Sequence, residues 1–233
     1  MQYNLEKDTI LECINTINPE DPIDCMRNIV KDFALEKYKN NIINCKLCNI
    51  CSSKHSLPIG STDSPILVVG DMVTNNQLND EEIYAFDDYQ SFQLLFDTFD
   101  NLNVDINKLY FTYAINCIMT ENNSIRLPYQ YEFNNCQKHL DNIIKALKPK
   151  VIITIGNIAL HCFTDENIQS VFGKWFTKDN IRIMPLYHPL HIKKAETFKT
   201  QQEINALNKT FASSIVNVIN YIKMNYSEYN IYK

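Results

Sequence analysis

Ile66-Leu67-Val68-Val69-Gly70-Asp71-Met72-Val73-Thr74 is a short aliphatic run that ends in a glycine and is followed at once by an acid. A run of this length between turn residues is typical of a strand buried in a parallel sheet. Open α/β sheets place their ligand sites at the carboxyl ends of such strands. Gly70 and Asp71 are therefore candidate site residues, although the same pair also occurs as a simple turn.

Three further aliphatic runs share this character, and helical patterns lie between them. The runs are 109–115, 150–156 and 181–187, and the helical patterns are at 91–99, 131–147, 157–163 and 201–223. Strands that alternate with helices predict a parallel sheet with helices on both faces. We therefore predict an α/β protein, a three-layer αβα domain with a central, mainly parallel sheet of four strands.

Chain length and composition limit the domain organisation and the location that the protein can have. The chain has 233 residues, 45% of them hydrophobic, which suffices for one large domain. Two helical patterns within residues 4–40 predict an N-terminal helical extension at 1–40, followed by the αβα domain at 41–233.

No apolar run approaches the roughly 20 residues that cross a bilayer, and the first residues lack a signal-peptide pattern. We expect a cytoplasmic monomer with no membrane partner. The net charge of −5 leaves room only for a local basic groove.

The positions of the cysteines matter more than their number. Cys45, Cys48 and Cys51 form a C-x2-C-x2-C cluster, and Cys117 and Cys136 follow much later. Disulfides are not expected in an intracellular chain. A C-x2-C pair with two distant cysteines is the spacing of a four-thiolate site for zinc or for an iron–sulfur cluster. Spacing does not choose between the metals, Cys51 could replace a neighbour, and unligated thiols are a further alternative.

Six motifs follow one another in a fixed order along the chain. They are Cys45 and Cys48 with Gly60, the strand end at Gly70, the strand from Tyr110 to Cys117, Arg126-x-Pro128 with Cys136, and the strand ends Ile155-Gly156 and Pro185-Leu186-Tyr187-His188-Pro189. Together they resemble the uracil-DNA glycosylase superfamily, most of all its iron–sulfur branch, family 4, over about residues 42–224. The resemblance implies a [4Fe–4S] cluster on Cys45, Cys48, Cys117 and Cys136, with Cys51 outside the ligand set. Zinc stays the alternative metal.

The resemblance implies a hydrolase of base-excision DNA repair. It would cleave the N-glycosidic bond of uracil, or of a related modified base, in single- or double-stranded DNA. Such an enzyme takes the base out of the stack and reads it in a pocket. His188 would donate a hydrogen bond to the charge that develops on the departing base. Asp71 would orient the attacking water or stabilise the cationic sugar.

Base-binding and DNA-binding residues follow from the same resemblance. Phe86, in an acidic loop, is expected to stack on the flipped base, with simple core packing as the alternative. The other base-binding candidates are Gly70, Met72 and Tyr113. Leu190, His191 and Ile192 could form a wedge that fills the space that the base vacates. Lys193, Lys194 and Lys199 could meet phosphates, or could form a plain solvated surface.

Three positions depart from the family pattern. Asp71 stands in place of a Glu, Val73-Thr74 replaces Pro-Gly, and Tyr113 stands where the family has its base-reading Asn. A phenol offers one hydroxyl, whereas a carboxamide offers a donor and an acceptor together. These departures keep a second hypothesis open: a glycosylase-fold module that binds DNA, or a replication or repair partner, without catalysis. A third hypothesis, a zinc-stabilised or electron-transfer protein, rests on the cysteines alone.

Overall fold

Strands and helices alternate along the chain, as the aliphatic runs predict. The structure is a computed structural model that describes residues 22–48, 54–73, 83–122 and 124–233. Its strands are β1 (Ser56–Leu57), β2 (Ile59–Gly60), β3 (Ile66–Met72), β4 (Ile83–Tyr84), β5 (Tyr110–Ile115), β6 (Thr120–Glu121), β7 (Ser124–Ile125), β8 (Val151–Ile155), β9 (Phe176–Lys178) and β10 (Ile181–Leu186). Its helices are α1 (Pro22–Ile43), α2 (Tyr89–Asn101), α3 (Gln130–Leu147), α4 (Asn157–His161), α5 (Ile168–Val171), α6 (Pro189–Ala195) and α7 (Gln201–Asn225).

The central sheet contains the four predicted strands, and they are parallel. Its order is β2-β5-β3-β8-β10-β9, in which β2 and β9 pair antiparallel at the two edges. The prediction of a mainly parallel αβα sheet is therefore confirmed, and the sheet is wider than predicted by two edge strands. These edge strands have only two and three residues. They are too short to show the alternation that marks a strand in sequence.

The two faces of the sheet bury separate cores. One face packs against α2 and α7, with Val68, Phe111 and Ile153 among its fully or almost fully buried residues. The other face packs against α1 and α3, with Leu67 and Ile152 buried there. Successive strand residues alternate between these cores because side chains on a strand point to opposite faces. The αβα layering thus follows directly from strands that are apolar on both sides.

The N-terminal region is described only in part. The second predicted helix is present as α1, which runs to Ile43 and buries Leu35 and Ile42 against the α3 side of the core. The first predicted helix, Cys51 and Thr74 lie outside the described residues. The division at residue 40 stays a prediction. In the part of the chain that the structure describes, no helix has the length and apolarity needed to cross a membrane.

A buried ion pair fixes the start of α3. Both guanidinium nitrogens of Arg126 contact the carboxylate of Glu132, at 2.8 and 2.7 Å. The Glu132 side chain is fully buried, and it also accepts a hydrogen bond from the Tyr129 amide at 2.7 Å. The Arg126 guanidinium in turn lies over the Tyr129 ring, 4.3 Å from its centre. This network orients the helix that carries Cys136.

Removal of the Glu132 carboxylate should destabilise the fold, because it leaves the largely buried Arg126 charge without its counter-charge. We expect Glu132→Ala to lower the free energy of unfolding by about 3 kcal/mol, the usual cost of breaking a buried pair. Glu36→Ala is the matched control, since Glu36 pairs with Lys39 on the surface of α1, and it should cost less than about 1 kcal/mol. Urea unfolding measures both values. Equal losses for the two variants would contradict the structural role of the Arg126–Glu132 pair.

Candidate active site

The carboxyl ends of the parallel strands bring the predicted site residues to one edge of the sheet. Gly70 of β3 stands beside Tyr113 of β5 and beside Ile155 of β8. Ile155 in turn pairs with Leu186 of β10, two residues before His188. Asp71 is thus the penultimate residue of β3, and Gly156 and His188 follow the ends of β8 and β10. All three lie at the carboxyl edge of the sheet, where α/β folds form ligand sites.

The carboxyl group of Asp71 lies against the N-terminus of α4. Its Oδ1 accepts a hydrogen bond from the Ala159 amide at 2.8 Å, and the amides of Asn157 and Ile158 also interact with it. Gly156 makes this approach possible, because any Cβ at that position would overlap the Asp71 carboxylate. Gly156 also has a φ of 103°, which favours glycine. The first amides of α4 thus find an acceptor that they would otherwise lack.

Burial changes the protonation of Asp71. It raises the pKa of the carboxyl group to about 7, and hydrogen bonds from the three α4 amides offset only part of this rise. Protonated and ionised forms are therefore both populated near neutral pH. A carboxyl group with this pKa can accept a proton from water in that range.

His188 is held as a neutral hydrogen-bond donor. It begins α6, and its Nδ1 accepts a hydrogen bond from the Leu190 amide at 3.2 Å. The proton of the neutral ring must then reside on Nε2. Burial lowers the pKa of His188 to about 4, although the nearby charge of Asp88 acts in the opposite direction. The ring also packs on Phe92, with 4.7 Å between the ring centres. At neutral pH the residue presents an uncharged Nε2–H group.

An aromatic cluster lies beside Gly70. Phe86 is buried and packs on Phe92 and Tyr113, with ring centres 4.3 and 5.3 Å apart. A Cβ at Gly70 would lie 2.8 Å from the Phe86 and Tyr113 rings, so glycine is needed for this close packing. Phe86 therefore does pack in the core, and it does so at the proposed base-binding edge. Met72 lies on the other face of the sheet, among residues such as Cys117.

Asp88 is a site residue that the sequence analysis missed. It caps α2 by accepting hydrogen bonds from the amide and the hydroxyl of Ser91, at 3.3 and 2.5 Å. Its negative charge acts on His188 and on Tyr113. The Asp at a helix start is a recognisable capping signal. That signal locates the helix but does not reveal that the residue lies near a histidine 100 positions later.

The DNA-binding candidates lie on α6, directly after His188. His191, Lys193 and Lys194 are exposed, and Leu190 is partly buried. The His191 ring stacks on Tyr187, with 4.8 Å between ring centres. A cleft of about 290 Å³ runs between α2 and α6 and is lined by Leu190 and Lys193, among others. Unlike its neighbours, the predicted wedge residue Ile192 is buried in the core and does not reach this surface.

The structure describes all four cysteines of the predicted ligand set, and they come from three parts of the fold. Cys45 and Cys48 follow α1, Cys117 follows β5, and Cys136 lies within α3. Burial raises the pKa of the Cys48 thiol, with smaller effects that include the charges of Cys136 and Cys45. Cys45 and Cys136 are thus near enough to Cys48 to affect the pKa of its thiol. Across residues 22–48, 54–73, 83–122 and 124–233, however, no three His, Cys, Asp or Glu side chains are placed so that they could hold a metal ion.

Polar groups lie next to the cysteine sulfurs. His139 Nε2 is 3.2 Å from the Sγ of Cys45, and Asn135 Nδ2 donates to the Sγ of Cys48 at 3.7 Å. The buried carboxamide of Asn116 has no hydrogen-bond partner within the described residues. His139 and Asn135 could stabilise thiolates, which are the form in which cysteine binds metals.

Comparison with known proteins points to one family. The model of the uracil DNA glycosylase superfamily matches residues 57–212, a range that contains Asp71, His188, Cys117 and Cys136. A type-4 uracil-DNA glycosylase from Sulfurisphaera tokodaii is 28% identical to the chain over 168 residues. That alignment covers 67% of this chain and 74% of the relative.

The raised pKa of Asp71 predicts a specific pH dependence of stability. The folded protein keeps the Asp71 proton up to about pH 7, whereas the unfolded chain releases it near pH 3.9. The contribution of Asp71 to stability must therefore fall as the pH rises from about 4 to about 7. Asp71→Asn cannot ionise, and its carboxamide oxygen can still accept from the α4 amides. Relative to the unmodified protein, this variant should gain a few kcal/mol of stability across that interval.

Urea unfolding between pH 4 and pH 8 measures this difference. The titration of His188 is common to both proteins and cancels in the comparison. Asp165→Asn serves as the control, because the Asp165 side chain is fully exposed, and its difference should not change with pH. A pH-independent difference for Asp71→Asn would contradict the burial of a proton on Asp71.

Proposed function

Because the chain belongs to the uracil-DNA glycosylase superfamily, we propose that it hydrolyses the N-glycosidic bond of uracil, or of a related modified base, in DNA. Membership makes the protein a DNA glycosylase, a hydrolase of N-glycosyl bonds. The relative from Sulfurisphaera tokodaii, named as a type-4 uracil-DNA glycosylase, supports uracil as the base. The observation that carries the proposal is the neutral His188, held with its Nε2–H group at the carboxyl edge of the sheet.

His188 supplies the main electrostatic contribution in this proposal. When the glycosidic bond breaks, the base leaves as an anion whose negative charge is shared between the ring nitrogen and the carbonyl oxygens. The neutral His188 ring already carries a proton on Nε2, so it can donate a hydrogen bond to that charge. Preorganised donors of this kind contribute about 3–4 kcal/mol to the transition state. The hydrogen bond between Nδ1 and the Leu190 amide fixes the ring orientation that this role requires.

We assign to Asp71 the activation of the attacking water. Asp71 directly follows Gly70, the residue that packs on the aromatic cluster where the base is expected, and the charge of Asp71 acts on Tyr113. With a pKa of about 7 its carboxyl group can take a proton from the attacking water near neutral pH. In its ionised form it also places a negative charge near the cationic sugar. The α4 amides hold the carboxylate in place during both events.

We assign DNA binding to the exposed surface of α6. Lys193 and Lys194 are exposed there, directly after His188, and positive side chains bind phosphates even on a protein with a negative total charge. Leu190 and His191 follow His188-Pro189 directly in the chain, and we propose that they fill the space that a flipped base leaves in the DNA. A cytoplasmic location, a monomeric state and a replication or repair protein as a further partner stay predictions from the sequence.

A [4Fe–4S] cluster is the proposed cofactor, with zinc as the alternative. Cys45, Cys48, Cys117 and Cys136 would hold it. The residues fit such a group by their chemistry, since cysteine thiolates bind iron and zinc and polar groups lie beside two of the sulfurs. When bound, the cluster would supply cross-links among the end of α1, the segment after β5 and α3. These elements pack on the face of the sheet opposite the aromatic cluster, so the proposed role is structural.

Excision of uracil from oligonucleotides tests the proposal. Purified protein, incubated with single- and double-stranded oligonucleotides that contain uracil, should produce abasic sites, which alkaline cleavage reveals. His188→Ala should lower the single-turnover rate by about 10²–10³, because the departing base loses its hydrogen-bond donor. His161→Ala is the matched control, since His161 is partly exposed and pairs with Asp165; its rate should not change. Failure of the unmodified protein to release uracil or any related modified base would refute the proposal.

Iron analysis tests the cofactor separately. Protein purified without oxygen should contain iron and acid-labile sulfide, and Cys136→Ser should lose most of both. Cys162→Ser is the control, because burial raises the pKa of the Cys162 thiol to about 12 and its Sγ–H donates to the Ile158 carbonyl. This variant should retain the iron content of the unmodified protein. Stoichiometric zinc without iron would exclude the cluster and favour the zinc alternative.

A further inference from the structure

A row of cations and aromatic rings lies at the amino edge of the sheet, opposite the proposed active site. Arg182 is the second residue of β10, which begins beside β8. Its guanidinium carbon is 4.5 Å from the centre of the Tyr221 ring and 5.6 Å from that of Trp175. Lys150 directly precedes β8, and its Nζ is 5.3 Å from the centre of the Tyr226 ring. Because Tyr221 and Tyr226 also meet edge to face, at 5.9 Å, we treat these five residues as one amino-edge patch.

The two cations of the amino-edge patch are not neutralised by acids. Among residues 22–48, 54–73, 83–122 and 124–233, neither Lys150 nor Arg182 forms an ion pair with a carboxylate. Asp179, in the turn that leads into β10, is close to Arg182 in the chain but does not pair with it. Lys148 is exposed two residues before Lys150 and adds a third positive charge. The patch therefore carries a local positive excess on a protein whose net charge is −5.

The aromatic rings prepare Arg182 for a phosphate. A guanidinium group presents its N–H donors in a planar fork, which matches the oxygens of a phosphate group. Contacts with the Tyr221 and Trp175 rings restrict the long side chain before any ligand arrives, so less entropy is lost on binding. Arg182 is also exposed, and a phosphate in solution can reach it.

The rings add a second kind of contact to the charges. Trp175, Tyr221 and Tyr226 pack against the core on one side and stay partly exposed. Proteins that bind single-stranded nucleic acids combine cations that follow the backbone with aromatic rings on which bases stack. The bases of an unpaired strand are accessible for such stacking, whereas those of a duplex are stacked on one another. The composition of the patch therefore favours a single strand over a duplex.

We propose that the amino-edge patch is a second contact for DNA, which binds a single strand outside the active site. The family of the chain acts on DNA, a polymer that carries both phosphates and bases. Arg182 and His188 are six residues apart along β10 and its continuation, about 20 Å at the rise of an extended strand. This distance equals about six stacked nucleotides of one strand. The inference concerns binding alone and does not depend on base excision.

The fluorescence of Trp175 tests the patch directly, because Trp175 is the one tryptophan of the chain. The probe is a short single-stranded oligothymidylate, which contains no uracil. We expect saturable quenching of the tryptophan emission. Arg182→Ala should bind about tenfold more weakly, because the charge-assisted hydrogen bonds to phosphate are lost. Lys39→Ala is the matched control, since Lys39 pairs with Glu36 on α1, and its affinity should not change.

The salt dependence of the same binding counts the phosphate contacts. Each contact with a single strand contributes about 0.7 to the slope of log affinity against log salt concentration, so loss of both cations in the double variant Lys150→Ala/Arg182→Ala should lower the slope by about 1.4. The double variant Lys39→Ala/Lys138→Ala removes the same charge from α1 and from an exposed position of α3. Its slope should equal that of the unmodified protein. Equal slopes for the two double variants would contradict the patch.

Arg182→Lys covers the case in which Arg182→Ala does not fold. This variant keeps the charge but loses the planar fork, and we expect its binding to be severalfold weaker. Thermal unfolding establishes whether each variant is folded. Unchanged affinity in a folded Arg182 variant would overturn the proposal, and so would a lack of quenching in the unmodified protein. Equal quenching by polyglutamate would indicate an acidic protein partner and would also overturn it.

The outcomes separate the patch from the proposed function. His188→Ala should keep the quenching of Trp175, because His188 lies at the opposite edge of the sheet. Quenching that is lost in His188→Ala and retained in Arg182→Ala would place the DNA at the carboxyl edge and overturn the patch. Saturable quenching in a protein that excises no base would support the patch and refute the glycosylase proposal.

Discussion

The contact between the Asp71 carboxyl group and the first amides of α4 is the constraint on which this site depends. A buried carboxyl group is costly unless its oxygens are hydrogen-bonded, and the first amides of a helix lack partners within the helix. Each side of the contact therefore satisfies the other. Gly156 is the residue that permits it, because a side chain there would overlap the carboxylate. The end of β3 is consequently fixed against the end of β8, and Gly70 is held against the aromatic cluster.

The same strand ends separate two chemical environments. Tyr113 packs on the α2 and α7 side of the sheet with Phe86 and Phe92, and His188 lies beside Phe92. Cys117, only four residues after Tyr113, belongs to the opposite core together with Cys136. A group held by the cysteines would thus stabilise one side of the sheet, while the roles proposed for His188 and Asp71 lie at its edge. This separation explains how a cofactor can be structural in a protein whose proposed chemistry needs only hydrogen bonds and proton transfer.

The sequence reveals the sheet better than it reveals the site. Aliphatic runs that end in Gly70 and Gly156 predict central parallel strands because such strands are buried on both faces. The edge strands β2 and β9 are too short to leave a pattern. The site depends on contacts between distant residues that no local pattern records. Asp71 meets Ala159 across 88 positions, and Phe86 meets Tyr113 across 27. Sequence reasoning identified Tyr113 as unusual, but only the packing shows that its ring covers Phe86.

The most direct test of this account is a crystal structure of the protein bound to DNA that contains 2′-fluoro-2′-deoxyuridine. We expect the uracil ring at the carboxyl edge of the sheet, with His188 Nε2 within hydrogen-bonding distance of a base oxygen. We also expect the Asp71 carboxyl group to remain on the α4 amides. A uracil that is bound away from His188 and Asp71 would contradict the account.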